Sequence, residues 1–322
     1  MSKLYLECYS GISGDMTVGA LLDLGADRGK LEKVLASVPA KGFQIRISTV
    51  IKSGIEACDF DVILDAEHEN HDHDMNWLYG GGEEHEHHHD HDHEHEHHHD
   101  HHQDHEHAEE HAHHTDSVCS CSVPGEHEHA GGDTEAHDHA HHGHDHHHEH
   151  RNLQQVNEIL DQTEMTESAR ELAKRIFRIV AEAESEVHGK PLNEVHFHEV
   201  GAIDSIVDII AIAVCYDDLR EKEEITEVIA PVLYEGSGTV RCQHGVLPIP
   251  VPAVSAIVRE HGIRLHLMPD AGEFVTPTGA AAVAALRTKD ALPEEFVIRR
   301  IGLGAGKREY RRAGFVRAML LD

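Results

Sequence analysis

The chain lacks any apolar run long enough to cross a membrane. Nowhere among its 322 residues does an uncharged hydrophobic stretch approach the roughly 18 residues a spanning helix needs. The opening MSKLYLECYSG lacks the charged start and apolar core of a secretory signal, so a cytoplasmic protein without membrane contact is expected. Cysteine is sparse: the six at positions 8, 58, 119, 121, 215 and 242 follow no framework spacing, which suits a reducing compartment where thiols stay free. Basic residues are outnumbered, 27 Lys and Arg against 60 Asp and Glu, and no basic patch offers a footing to a phosphate backbone. Nucleic acid is therefore not an expected partner.

Between residues 68 and 150 Lys and Arg vanish altogether, while 31 of the 37 histidines gather there among 23 Asp and Glu. Of the formal charge of −33, −23 belongs to this tract and −10 to the rest. Neutral imidazole suits Ni, Cu, Zn and Co, and the interleaved carboxylates add hard oxygens and compensating charge. His87, His89, His91, His93, His95 and His97, with His146 and His148 at the far end, are candidate ligands. At three to four imidazoles per ion the tract has capacity for on the order of ten metals, without fixed geometry. Cys119 and Cys121 add a possible softer site within it. A plain solvated linker would draw on Gly, Ser, Pro and Lys and has no need of imidazole. With no apolar periodicity over some eighty residues, the tract is expected to be disordered without metal.

The tract divides the chain into an N-terminal α/β portion, 1–67, a His-rich insertion, 68–150, and a second α/β portion, 151–322, that packs with the first. The roughly 240 remaining residues can bury a real core. Leu4–Leu6 reads as a strand, followed by a Gly-rich loop, a helix from Met16 to Leu24 capped near Gly25, a second helix over Leu31–Val38, and strands over Phe43–Ile51 and Ala57–Leu64. Beyond the tract, Leu153–Leu160 and Ser168–Val187 have helical spacing, and Ser205–Leu219 is an apolar helix. Val228–Leu233 reads as a strand with a glycine turn over Glu235–Gly238; Ala253–Glu260 and a helix opening at Thr276-Pro277 follow, with closing strands over Phe296–Ile301 and Phe315–Leu321. The mixed order predicts an α+β (mixed α/β) fold interrupted by the insertion.

Four constellations can carry chemistry. His196 and His198 share one face of a strand and Glu199 follows in the turn, while Asp204 and Asp208 project from the next helix toward the same end, a set suited to a divalent metal with an open position. The alternative is a hydrogen-bonded histidine pair with Asp204 as a cap. In Ser10-Gly11-Ile12-Ser13-Gly14-Asp15-Met16, Gly11, Gly14 and Ser13 can cradle a phosphate at a helix start, and Asp15 can hold a metal bridging to it; a plain strand-to-helix turn reads equally well. The segment matches neither a Walker loop nor a dinucleotide fingerprint. Glu235 to Gly245 combines a glycine turn, Arg241, Cys242 and His244, the last a candidate ligand. Glu273, Thr276, Thr278 and Gly279 can present hydroxyls and a helix N-terminus to an anion, or merely cap it.

Together SGISGDM, HFHEVGAIDSIVDI, GSGTVRCQHGVLPIPVPA, EFVTPTGAA and the late GLGAG resemble the LarC family of nickel insertion proteins, in order and across all the chain outside the tract. The resemblance implies a cytoplasmic nickel insertase, or cyclometallase, of the lyase class. Such an enzyme installs Ni(II) into pyridinium-3,5-bisthiocarboxylic acid mononucleotide through two nickel–sulfur bonds and one nickel–carbon bond. The reaction depends on CTP, assisted by Mn or Mg, and the product serves lactate racemase-type enzymes. It further implies His196, His198, Glu199 and Asp204 as ligands or base, with Gly11, Ser13, Gly14, Asp15, Thr276 and Thr278 on the nucleotide. Glu7 stands where the family commonly has Asp, and Gln243 and Leu303 also depart from it. Longer members continue into a domain associated with CTP, so the chain reads as one half of a split protein, the product of a frameshifted gene, or a nickel-binding portion that needs a separately encoded C-terminal domain, with the acceptor enzyme as a further candidate partner. Homo-oligomerisation stays open, as does a second reading of the chain as a nickel storage or chaperone protein without turnover.

Overall fold

The computed structural model describes residues 2–65, 74–79, 151–197, 202–242 and 244–322, with the backbone alone for His196. In chain order the elements are β1 (Ser2–Glu7), α1 (Gly14–Leu24), α2 (Arg28–Ala36), β2 (Phe43–Lys52), β3 (Ile55–Leu64), α3 (Met75–Tyr79), β4 (Arg151–Asn152), α4 (Leu153–Gln162), α5 (Glu167–His188), β5 (His196–Phe197) and α6 (Ile203–Lys222). They continue as β6 (Ile225–Ile229), β7 (Leu233–Ser237), β8 (Thr239–Cys242), β9 (Gly245–Pro248), α7 (Pro252–Glu260), β10 (Leu265–Ala271), α8 (Pro277–Leu286), β11 (Ile298–Ala305) and β12 (Phe315–Leu321).

A mixed six-stranded sheet in the order β2-β3-β11-β12-β1-β6 is the frame, and it makes the fold α+β as expected. β1 runs parallel to β6 and antiparallel to β12, so both ends of the chain share one sheet. Leu4, Tyr5 and Leu6 are buried in succession because this strand is covered on both faces. Tyr5 packs with Ile229, Met319 and Leu321 in a small second core, while Leu4 and Leu6 join the main one.

α1 lies directly on the sheet. A Cβ on Gly304 in β11 would sit 1.9 Å from the Met16 carbonyl oxygen, so the late GLGAG is the surface that lets helix backbone touch strand backbone. α6 is buried nearly all round, with Ile206, Val207 and Ile209 to Val214 closed off from solvent, which is why its apolar residues follow no single stripe. α5, by contrast, is amphipathic and buries Leu172, Ile176, Phe177 and Val180.

Gly25 caps α1 in the left-handed conformation as the sequence predicts. Three expectations differ. The strand expected over Val228–Leu233 breaks at Pro231, which cannot donate to a ladder: β6 stays in the large sheet and β7 pairs with β10 instead. Glu235 and Gly236, expected in a turn, belong to β7, where Glu235 is fully buried and only Gly238 turns the chain. Met75–Tyr79 falls inside the segment expected to lack structure, yet forms α3, because Trp77, Leu78 and Tyr79 are the apolar patch at the tract's edge and Leu78 is buried. Among the described residues no helix is long and apolar enough to cross a membrane.

Candidate functional site

All four constellations reach one cleft of about 280 Å³. Its floor is stitched from two loops. The Ile12 N–H donates to the Phe274 carbonyl (2.9 Å) and the Thr276 N–H to the Ile12 carbonyl (3.0 Å), fixing SGISGDM beside EFVTPTG. Gly11 makes that approach possible: its φ is +79° and a Cβ there would lie 2.0 Å from the Phe274 oxygen. Gly11 thus serves the stitch and does not line the cleft, whereas Ser13, Gly14 and Asp15 do. The Ser13 hydroxyl is engaged by the Asp15 carboxylate.

Four helices begin at this cleft, presenting Gly14 and Asp15 of α1, Asp204 and Ser205 of α6, Pro252 and Ala253 of α7, and Pro277 and Thr278 of α8. Each N-terminus brings partial positive charge and unpaired N–H groups. α1 and α6 carry an acidic residue in the first turn; α7 and α8 carry none and open with proline. The cleft therefore brings acid-bearing and acid-free helix starts into one space, with the start of α8 set beside that of α1. Thr276 caps α8, its hydroxyl accepting from the Gly279 N–H at 3.2 Å, so Thr276 is committed to the helix while Thr278 faces the space.

At the acidic end Asp208 lies one turn beyond Asp204. Burial, and then the charges of Asp15 and Asp204, raise its carboxyl well above the usual range; Lys307 and the Asp15 N–H pull the other way. Its Oδ1 is a buried oxygen without a hydrogen-bond partner. Even so, no group of three or more His, Cys, Asp or Glu among the described residues is placed to hold a metal.

Lys307 and Arg308, which motif reading passed over, follow β11 after Gly306. Lys307 pairs with Asp59 and, at 3.2 Å, with Asp61 of β3. Arg308 bonds the Glu273 carboxylate at 2.6 Å, and Tyr310 donates to the Glu273 carbonyl at 2.7 Å. Glu273 is thus committed to the loop clamp rather than offered to a ligand. Tyr79 completes the clamp, its hydroxyl 2.8 Å from that of Tyr310 and accepting from the Glu273 N–H at 2.9 Å. The signal that might have exposed the basic pair is its position after GLGAG. Glu7, which stands where the family commonly has Asp, is held by Arg317 through two bonds of 2.6 and 2.7 Å.

The opposite wall was also unforeseen in part. The end of α5 supplies Glu184 and His188, with Glu184 Oε2 3.2 Å from His188 Nε2, and the β8–β9 hairpin supplies Cys242 and His244. The two imidazole rings lie 5.0 Å apart. Burial, and then His188, lower the His244 pKa. The helical i,i+4 spacing of Glu184 and His188, one of six histidines outside the tract, was the available signal.

His196 sits in β5, paired with Asn152 of β4. His198 and Glu199 lie outside the described residues, as do Gln243, Cys119, Cys121 and the tract ligands His87, His89, His91, His93, His95, His97, His146 and His148. Asp204 and Asp208 are the members of the first constellation whose side chains are described in the cleft.

The family model described as nickel insertion protein matches residues 4–322. The chain is 43% identical over 321 residues to the pyridinium-3,5-bisthiocarboxylic acid mononucleotide nickel insertion protein of Alkaliphilus metalliredigens, covering 100% of this chain and 61% of the relative. Proteins of the same name from Clostridium acetobutylicum and Acetivibrio thermocellus are 35% and 32% identical, matching 99% of this chain in both cases and 64% and 60% of their own lengths. The chain thus spans about three fifths of these relatives. No solved structure matches it. With its matched motifs assembled in one cleft and the family model running from the fourth residue to the last, the chain belongs to the nickel insertion protein family.

Proposed function

We propose that this chain performs, or performs the nickel-handling part of, Ni(II) insertion into pyridinium-3,5-bisthiocarboxylic acid mononucleotide, acting as a cyclometallase of the lyase class whose product serves lactate racemase-type enzymes. The observation that carries this reading is the gathering of a carboxylate cluster and acid-free helix starts in one cleft, since the substrate named in the relatives joins a phosphate to a cationic ring. The phosphate fits the acid-free N-termini of α7 and α8 beside Thr278. The pyridinium fits the end held by Asp15, Asp204 and Asp208.

Nickel enters as substrate. Thiocarboxylate sulfurs are soft donors that favour it, and His244 with His196, His198 and Glu199 are the proposed protein ligands. As the nickel–carbon bond forms, the ring C–H yields its proton to a base drawn from His196, His198, Glu199 or Asp204. For the Mg or Mn implied with CTP, Asp15, Asp204 and Asp208 have the right oxygen chemistry, but no three described side chains form a metal-holding group, so the described residues do not fit a resident cation. The 1–67, 68–150, 151–322 division, a separately supplied C-terminal domain, an acceptor enzyme and cytoplasmic operation belong to the same proposal.

The test mixes the full chain with Ni(II), the bisthiocarboxylated mononucleotide, CTP and Mg or Mn, with and without a C-terminal domain supplied separately, and follows nickel–sulfur absorption. Product formation above the uncatalysed rate in either mixture is expected; its absence from both defeats the enzyme reading. The storage reading rests on the histidines of 68–150. It survives that failure if equilibrium dialysis shows the tract to hold most bound nickel.

A further inference from the structure

Three Lys and Arg residues among those described line the cleft, and two of them are committed to carboxylates. Lys307 pairs with Asp59 and Asp61, and Arg308 with Glu273. The third, Arg241 of β8, is half-buried and in register with Val246 of β9. Among the described residues its side chain meets no ion-pair or hydrogen-bond partner. A guanidinium carries five donors in a planar fork, and the fold uses none of them here. The start of α8 leaves further donors open on the same cleft. Pro277 has no N–H, the Gly279 N–H goes to the Thr276 hydroxyl at 3.2 Å, and the Ala280 N–H goes to the Thr276 carbonyl at 2.9 Å. The Thr278 N–H is what remains of this first turn. The Thr278 hydroxyl likewise meets no partner among the described residues, although the residue is only 7% exposed. Polar groups so deeply set are satisfied in folded proteins, so the open pair on Thr278 points to a ligand oxygen.

Six carboxyl groups share this cleft, those of Asp15, Asp61, Glu184, Asp204, Asp208 and Glu273. Each one that is ionised repels an entering phosphate, and cations already paired with carboxylates do little to offset that. An unpaired guanidinium does offset it. We propose that Arg241 is the specificity-determining residue for the phosphate of the mononucleotide, its fork meeting two phosphate oxygens while the Thr278 N–H and hydroxyl hold a third. The inference rests on the nickel-insertion reading above and names the side chain by which that site tells its mononucleotide from the corresponding nucleoside. Phosphate is a better match than the thiocarboxylates, because its oxygens accept stronger hydrogen bonds than soft sulfur and pair with the fork two to two. Both groups are set in place before a ligand arrives. The β8–β9 ladder fixes the backbone of Arg241, and the Thr276 N–H on the Ile12 carbonyl fixes the start of α8.

The experiment uses the full chain with nickel removed by a chelator, so that neither the His-rich tract nor turnover contributes. Titration calorimetry compares the bisthiocarboxylated mononucleotide with the same molecule lacking its phosphate. Arg241→Ala is expected to weaken mononucleotide binding about tenfold or more and to leave nucleoside binding unchanged. Arg241→Lys, which keeps the charge and loses the fork, is expected to fall between the alanine variant and wild type. Thr278→Val, which removes the hydroxyl and keeps the shape, is expected to weaken the mononucleotide alone, by about threefold or more. Because Arg241 meets no partner in the fold, its variants are expected to melt at the wild-type temperature; a lowered melt makes it a structural residue and overturns the assignment. Equal losses on both ligands place the guanidinium on the ring or its thiocarboxylates and overturn it too, as does unchanged mononucleotide binding by Arg241→Ala. Those three results leave the nickel-insertion reading standing. A wild-type chain that binds no mononucleotide overturns the assignment and that reading together.

Discussion

Gly14 touches Asp208: a Cβ on Gly14 would lie 2.3 Å from the Asp208 Oδ2, so the first residue of α1 and a carboxylate one turn into α6 share space that no side chain can enter. Gly14→Ala must therefore displace the Asp208 carboxylate from its Asp15 N–H. The expected loss is about 1–3 kcal/mol of stability, read as a lower urea midpoint. Mononucleotide affinity, measured in parallel, should fall as the acidic end of the cleft deforms.

Glu235 carries a built-in pH dependence. Burial pushes its carboxyl up to about 7 despite three backbone N–H donors, from Gly236, Phe274 and Val275. The folded protein keeps this proton up to about pH 7, while the unfolded chain loses it near 4.5. The associated stability is full below about pH 4.5 and lost as pH rises through 7, amounting to roughly 3 kcal/mol at most. Glu235→Gln should remove this component, so the difference in unfolding free energy between variant and wild type grows in the variant's favour from pH 5 to pH 8. A difference independent of pH would refute the assignment.

Arg308 and Glu273 form the least exposed ion pair of the cleft, with side chains 16% and 8% exposed. Arg308→Ala leaves the Glu273 carboxylate buried without its cation and should cost about 3 kcal/mol in a thermal or urea melt.

The Glu7–Arg317 pair provides the contrast. Its geometry is bidentate, but Arg317 is 39% exposed. Water and salt screen it, and Arg317→Ala should cost only about 0.5–1 kcal/mol, less at 1 M salt than at low ionic strength.

For the tract, imidazole binds metal only when neutral, so nickel bound by the chain should be released as pH falls from about 6.5 to 5.5. Deleting 80–150 rather than 68–150 preserves Tyr79, whose hydroxyl meets both Tyr310 and Glu273. Equilibrium dialysis of that deletion should show most of the bound nickel gone, while retention of the full stoichiometry would sink the storage role.

What could be read directly were features whose cause is local. The imidazole and carboxylate density of 68–150 is a metal-seeking composition legible without any fold, and the amphipathic α5, the Gly25 cap and the Thr276-Pro277 start of α8 follow from short-range periodicity and capping chemistry. The motifs marked the right loops as well. Their partners, however, were set by distance in space: whether Glu235 turns or is buried depends on β10 and the Phe274 loop, and whether Glu273 meets a ligand or Arg308 depends on the strand pairing of β11 and β12. Glu184 and His188 belong to no motif, and only the β8–β9 hairpin laid beside them makes them part of the cleft. The sequence by itself determined the metal-seeking composition, the element types and the family. Only the tertiary structure decided that four helix N-termini, two of them acidic, open on one cleft, because that convergence is a property of how α1, α6, α7 and α8 pack and not of any residue's neighbours along the chain.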